Sequence, residues 1–387
     1  MKLVILAPHC ELPARDGAAI RSYEIARGLA AGMEETHFLA KRTTMNLPAG
    51  DVQPFPGGER SSVLAALGSA VTATHYLVLK HMPGAWQQAV AQRVGALQPD
   101  LIVVNFLWAW PLVAEIAGDA RVFIDTHNFD PEWWNNLARH SRNPLKKLVC
   151  RHSLQAILRT LRELPAGTGL IHVSERDAAA YRELRPDLEH LVLPNGCTLR
   201  PRQKRPDYRA QKKRLYFLGL LSVQISFDAL EFFAREFWPQ LQEAAEFFVL
   251  GAHPSAGVRQ LCAQHGWQLR ENLAEEELAG LIEEMHFAVL PFAYGAGSKL
   301  KLVDACGRGV PVLATESGVK GFTGLPGTVL VSGSPEEWRQ RLEEFSTFDD
   351  GAVEETLDFA ARYSWEKLTA DFLAQHPFGE LNLARVT

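Results

Sequence analysis

The residues best placed to do chemistry lie in FAVLPFAYGAGSKLKLVDACGRGVPVLATESGVKGF, residues 287–322. An apolar run ends at Pro291, a short loop holds Gly295, Gly297 and Ser298, and a helix-forming stretch opens with Lys299 and Lys301. Glycines let a backbone come close to a bulky anion. The free N–H groups of a first helical turn, at the positive end of the dipole, favour phosphate. Two ammonium groups and the Ser298 hydroxyl strengthen that preference. Asp304 lies about one turn beyond Lys301 and suits sugar hydroxyls, such as a ribose diol, better than it suits phosphate. Spacing alone leaves a second reading open, in which Lys299, Lys301 and Asp304 form a solvated helix face with i,i+3 pairs. Two common phosphate motifs are excluded. There is no GxxxxGK[ST], and no GxGxxG follows the first strand, where the loop has only Gly17.

The elements that must carry this loop alternate along the chain. Lys2–Pro8, Leu101–Asn105, Val122–Asp125, Leu170–Ser174 and Leu191–Leu193 read as buried strands, and Ala18–Ala31 as the first helix. Residues 200–214, RPRQKRPDYRAQKKR, are basic and almost devoid of apolar side chains, and read as a linker or surface excursion. A second alternating series follows. Its strands are Leu215–Leu218, Glu246–Leu250, Trp267–Arg270, Phe287–Pro291, Val310–Thr315 and Val329–Val331. Its helices include Phe227–Phe237, Val258–His265, Glu275–Met285, Lys299–Gly307 and Glu336–Phe345, with a closing helix near Trp365–Gln375. Alternation of this kind predicts parallel sheets covered on both faces, in two doubly wound domains. Such sheets bind ligands at the carboxyl ends of their strands, so the expected site is a cleft between the domains.

Bulk properties agree. A chain of 387 residues suits two domains, and 47% hydrophobic with 22% charged residues is an ordinary globular composition. The net charge of -5 gives no global footprint for nucleic acid. No uninterrupted apolar run reaches the roughly 18 residues of a membrane span. MKLVILAPHC reads as a buried first strand, not as a signal core. Five scattered cysteines without a CxxC argue against a disulfide framework or structural zinc and suit a reducing cytoplasm.

GAGSKLKLVDACGRGVPVLATESGVKG resembles the C-terminal donor-site motif of glycosyltransferase family 4 (group 1), the retaining transferases of GT-B fold. The match covers Gly295, Gly297, Lys299, Lys301, Ala305, Gly309, Pro311, Val312, Thr315, Gly318 and Gly321. Asp304 stands where the family has Glu, which keeps the charge and shortens the reach. Ala296 stands where many members have the first acid of an E-x7-E pair. PARDGAAIRSYEIARGLA (13–30), FIDTHNFD (123–130), HVSERDAAAY (172–181), LPNGC (193–197) and YSWEKLTADFL (363–373) are similar to further family segments. The resemblance is weakest at 40–98 and 131–168, the regions that usually shape the acceptor site. The basic residue that many members carry after Gly219 is missing, and Gln224 lies in that segment.

This resemblance implies an α/β GT-B fold, two Rossmann-like domains facing a central cleft. Residues 1–196 would bind acceptor and 197–363 would bind donor, with a helix at about 364–387 crossing back. It implies a retaining glycosyltransferase that moves a sugar from a nucleotide-diphosphate sugar to a hydroxyl of a glycan, lipid-linked or small-molecule acceptor. His127, Lys299 and Lys301 would be catalytic. Gly17, Gly219, Ser222, Gly295, Gly297, Ser298, Leu302, Val303 and Asp304 would line the donor. Arg21, Asn128 and Trp108 are acceptor-side candidates. A front-side mechanism needs positioning and charge stabilisation rather than a nucleophilic carboxylate. No D-x-D occurs, and Asp349–Asp350 reads as a bare pair in a surface loop, so no obligatory metal or other cofactor is expected. Asp125 and Asp130 read as solvated loop caps or as acceptor-site acids. Two other functional readings stay open: a nucleotide-sugar 2-epimerase of the same shape, and a binding subunit without catalysis. The basic, leucine-rich stretch 139–162 fits either a helix packed on its own domain or a peripheral membrane contact, which would place a cytoplasmic protein at the inner membrane face. Donor sugar and base, acceptor, linkage and oligomeric state are not readable from the sequence.

Overall fold

The computed structural model describes residues 1–12, 14, 16–43, 51–54, 61–72, 74–141, 143–345 and 349–376. Pro13, Arg142 and the end of the expected crossing segment, 377–387, lie outside the described residues. The chain divides into two compact units, Met1–Pro194 with Leu368–Thr387, and Asn195–Lys367.

The first unit holds a seven-stranded sheet of β1 (Lys2–Leu12), β2 (Glu35–Thr43), β3 (Asp51–Pro54), β4 (Leu101–Asn105), β5 (Arg121–Asp125), β6 (Gly169–His172) and β7 (Glu189–Val192). All neighbours are parallel in the order β3-β2-β1-β4-β5-β6-β7. Leu3–Ala7 and Leu101–Val104 are essentially inaccessible, as continuous apolar strands under helices on both faces must be. β1 runs past Pro8, where the sequence suggested a stop. Its pairing with β2 is regular to Ala7 and resumes with a shifted register at Glu11. Proline has no N–H to give the ladder, so it marks an irregularity here, not the strand's end.

The second unit holds a six-stranded parallel sheet of β8 (Lys213–Leu220), β9 (Ala245–Ala252), β10 (Gln268–Glu271), β11 (Phe287–Leu290), β12 (Val312–Ala314) and β13 (Val329–Val331), ordered β10-β9-β8-β11-β12-β13. Its core is aromatic: Phe233, Phe237 and Trp338 are fully buried, with Phe237 and Trp338 ring centroids 4.2 Å apart. Both sheets therefore reverse their winding once, between β1 and β4 and between β8 and β11. Crevices open at such reversals, at the carboxyl ends of the strands.

Three expectations need correcting. Residues 200–214 are not a free linker. Tyr208 is 5% exposed, its hydroxyl donates to the His286 carbonyl at 3.1 Å, and Arg202 donates to the Met285 carbonyl and to Tyr208. One aromatic anchor among many cations was enough to dock the segment. Asp349–Asp350 is not a loop pair, because Asp349 caps the helix Asp350–Ala361 by accepting from Ala352 N–H at 2.9 Å. The stretch 139–162 is two helices, Asp130–His140 and Pro144–Glu163, parted before Pro144.

Candidate functional site

In the second unit the Gly295 loop lies beside the β8/β11 reversal. Phe287–Leu290 forms β11, and the loop then turns through Gly297, whose φ of +65 favours glycine. The helix is Leu300–Gly307, so Lys299 is its N-cap, outside the first turn, and supplies no side-chain cap bond. Lys299 Nζ donates to the Ala296 and Gly297 carbonyls at 2.9 and 3.1 Å. Lys301 reaches Gly219 at the end of β8. A Cβ on Gly219 would lie 2.8 Å from Lys301 Nζ, and one on Gly295 2.9 Å from Lys299 Nζ. Lys320, which the sequence reading passed over, donates to the Gly295 carbonyl at 3.1 Å. Three ammonium groups thus lie against the backbone of Gly219, Gly295 and Gly297.

The loop's shape is fixed from several sides. Asn195, 5% exposed, donates to the Ser298 hydroxyl and carbonyl at 3.0 and 3.2 Å. Tyr294 donates to Asp228, which also accepts from Gln224. Gln224 opens the helix Gln224–Glu236, whose start beside exposed Ser222 has no side-chain cap. Beneath the loop, Gly318 passes the end of β11 so closely that a Cβ would meet the Leu290 carbonyl at 2.6 Å. Leu302 and Val303 are fully buried, so they offer a ligand backbone only. Asp304 is one-third exposed and accepts from Arg308 Nε at 3.1 Å, an i,i+4 pair. Arg308 also contacts Glu275, and these acids hold its guanidinium pKa above the usual value against the opposing effect of burial.

In the first unit, β1, β4 and β5 end around His127. Its φ is +57, rare for a residue with a Cβ. Its ring stacks on Phe106 with centroids 4.0 Å apart. Its Nε2 lies 2.8 Å from Asn105 Oδ1 and 3.1 Å from Asp125 Oδ2. Asn105 Nδ2 donates to the Leu6 carbonyl, which orients Oδ1 toward the imidazole. Both neighbours of Nε2 are acceptors, so Nε2 donates to them. Asp125 is held by Arg21, whose Nε and Nη2 donate at 3.0 and 2.7 Å, and both are 1% exposed. Burial opposes ionisation of Asp125, but Arg21 and His127 outweigh it and keep the carboxyl well below the usual range. His9, from β1, sits edge-on to Phe106 and His127 at 4.6 and 5.7 Å. Burial, then His127 and His81, depress its pKa, so it is neutral.

The placements alter several expectations. Arg21 is a buried ion-pair partner, not a group facing an acceptor. Trp108 is 3% exposed and packed among His75, His81 and Phe106, so it is core. Asn128 donates to Asp130. Asp125 and Asp130 are buried, not solvated caps, and burial with Asp177 nearby raises the Asp130 pKa. Gly17 begins the first helix, where Asp16 already accepts from Ala19 N–H. His9, Phe106, Asn105, Asn195, Arg308 and Lys320 were missed. Only Asp304–Arg308 carried a local signal, the i,i+4 spacing. Among the described residues no cluster of three or more His, Cys, Asp or Glu could hold a metal ion, and no helix is long and apolar enough to cross a membrane. The five cysteines are buried and free.

Two parallel, doubly wound sheets in one chain are the GT-B fold. Residues 212–347 match the family described as glycosyl transferases group 1, so the second unit carries that domain. No curated protein matches the chain significantly. The chain is similar in structure to sucrose-phosphate synthase from Thermosynechococcus elongatus (TM-score 0.72, 14% identity, 99% of each chain covered). It is also similar to Anabaena HepE in complex with UDP-glucose (TM-score 0.64, 14% identity, 98% of this chain and 100% of that one). A third is WaaG, a glycosyltransferase involved in lipopolysaccharide biosynthesis (TM-score 0.62, 14% identity, 96% and 98%).

Proposed function

We propose that this protein is a retaining glycosyltransferase that takes a sugar from a nucleotide-diphosphate donor and places it on an acceptor hydroxyl. The observation that carries this reading is the gathering of Lys299, Lys301 and Lys320 against the backbone of Gly219, Gly295 and Gly297, within the group 1 domain. A diphosphate needs about two balancing charges and close approach to backbone, and three lysines beside glycines fit that need. Asp304, kept in place by Arg308, accepts from the ribose hydroxyls. In the reaction the anomeric C–O bond to the diphosphate breaks and the acceptor oxygen bonds to the same face of the anomeric carbon. The acceptor's proton passes to a leaving phosphate oxygen. Lysine charge stabilises the departing diphosphate without a required metal. His127, its Nε2 fixed by Asn105 and Asp125, turns its other ring nitrogen to a sugar or acceptor hydroxyl.

UDP-glucose is the first donor to try, because HepE binds it. Incubation with a panel of nucleotide sugars should raise the thermal midpoint with one of them and release its nucleotide diphosphate. The anomeric proton coupling of the product should match the donor's. Lys301→Ala should weaken donor binding about 10- to 100-fold, the worth of a charge-assisted hydrogen bond. Absence of both a thermal shift and turnover with every donor refutes the reading, and inversion at the anomeric carbon refutes the mechanism.

A further inference from the structure

We infer that the outer face of the helix Pro144–Glu163 is a docking surface for an anionic lipid bilayer. The helix carries five Lys or Arg (Lys146, Lys147, Arg151, Arg159 and Arg162) and a single acid, Glu163 at its last position, in a chain whose net charge is -5. The helix turns its inner stripe of Cys150, Ser153, Ala156, Ile157, Thr160 and Leu161 into the first unit. At about 100° per residue the opposite stripe is Leu148, Arg151, Gln155, Arg159 and Arg162, bordered by Leu145 and Lys147. Leu145 is 72% exposed and Leu148 is 61% exposed, three residues apart near the helix start. Asn143 caps that start by accepting from Leu145 and Lys146 N–H, so the turn bearing the leucines is ordered.

Two exposed leucines beside cations on a rigid helix match the demands of an interface. The leucines leave water for the acyl boundary, while the long basic side chains bury their stems and keep their heads among phosphates. Other occupants fit less well. A soluble polyanion uses the cations and gains nothing from the leucines. A second copy meeting this face by two-fold symmetry would set cations against cations. The inference does not rest on the sugar-transfer reading, and vesicle binding tests it without donor or acceptor.

The test is co-sedimentation of the full chain with phosphatidylcholine vesicles and with phosphatidylcholine–phosphatidylglycerol vesicles. Binding is expected to the second only, and to weaken with salt. Each basic residue at an anionic surface contributes roughly fivefold in partitioning, so K147E/R151E should reduce binding about 30-fold or more. L145S/L148S should reduce it at least about 30-fold while leaving the thermal midpoint unchanged, because both side chains are already in water. Equal binding to both vesicles, no binding to either, or indifference to L145S/L148S overturns the inference. So does a dimer that L145S/L148S dissociates without changing vesicle binding.

Discussion

Replacing Arg21 with Met, Asp125 with Asn, and both together tests the arrangement that holds His127. Arg21 and Asp125 are each 1% exposed and meet through three donor–acceptor contacts of 2.7–3.0 Å. Either single change strands one charge where water cannot reach it. Breaking a buried pair by removing one partner costs about 3–5 kcal/mol, most of it the penalty of the surviving charge. For a unit of this size that lowers its thermal midpoint by roughly 6–20 °C. The double variant has no stranded charge, so its loss should not exceed that of the worse single variant, giving a coupling of about 3 kcal/mol or more. Urea unfolding of all four proteins measures these terms. Hydrogen exchange in β4 and β5 peptides would identify which transition belongs to the first unit, since a two-unit chain need not unfold in one step. Losses that add within about 0.5 kcal/mol would refute the reasoning, because independent sites add and coupled ones do not.

Gly219→Ala should leave the thermal midpoint nearly unchanged, because its Cβ meets the flexible end of Lys301, not backbone; donor or nucleotide diphosphate affinity, measured by calorimetry, should fall about tenfold or more as that ammonium is displaced. Burial lowers the pKa of both His75 and His172 to about 3. Both stay neutral in the folded chain, while unfolded histidine protonates near 6.5. Their contribution is complete above about pH 6.5 and falls as pH drops toward 3, by up to about 1.4 kcal/mol per unit and histidine. Asp130, whose folded pKa is raised, works in the opposite sense. The comparison is therefore the slope of unfolding free energy between pH 6.5 and 5.5 in the parent and in His172→Gln; equal slopes would contradict this assignment.

The strands that were legible in the sequence are those buried on both faces, since LVILA, LIVV and FAVL admit no polar residue. β2 was not legible because Thr36, His37 and Lys41 are buried polar side chains inside it, and ETHFLAKRT reads as neither strand nor helix. The Gly295 loop was legible as a glycine–lysine pattern. The roles of Asn195 and Lys320 were not, because each meets the loop across 25 or more positions of chain, a closeness only the folded sheet creates. His127 was legible as the residue after a strand. The partners of its Nε2 were not, because Asn105 and Asp125 come from the ends of two strands paired in register, Asn105 opposite Asp125. Arg21 illustrates the opposite error: a cation on the first helix stood as an acceptor-side candidate, yet the buried carboxylate of Asp125 holds it.

The side chains gathered at the two reversals in sheet order differ in electrostatic character. At β8/β11 three lysines gather around glycine backbone, so a multiply charged anion gains there what it loses in hydration. At β1/β4 the charges cancel locally: Asp125 is matched by Arg21, His9 is neutral, and Phe106 gives an apolar wall. A bare anion brought against that wall would lose its water without a balancing charge. On the proposed function the first of these sites would take the diphosphate and the second a hydroxyl. The exchange K301A against H127A would display this division: the first should act on nucleotide diphosphate affinity, and the second on turnover with that affinity unchanged.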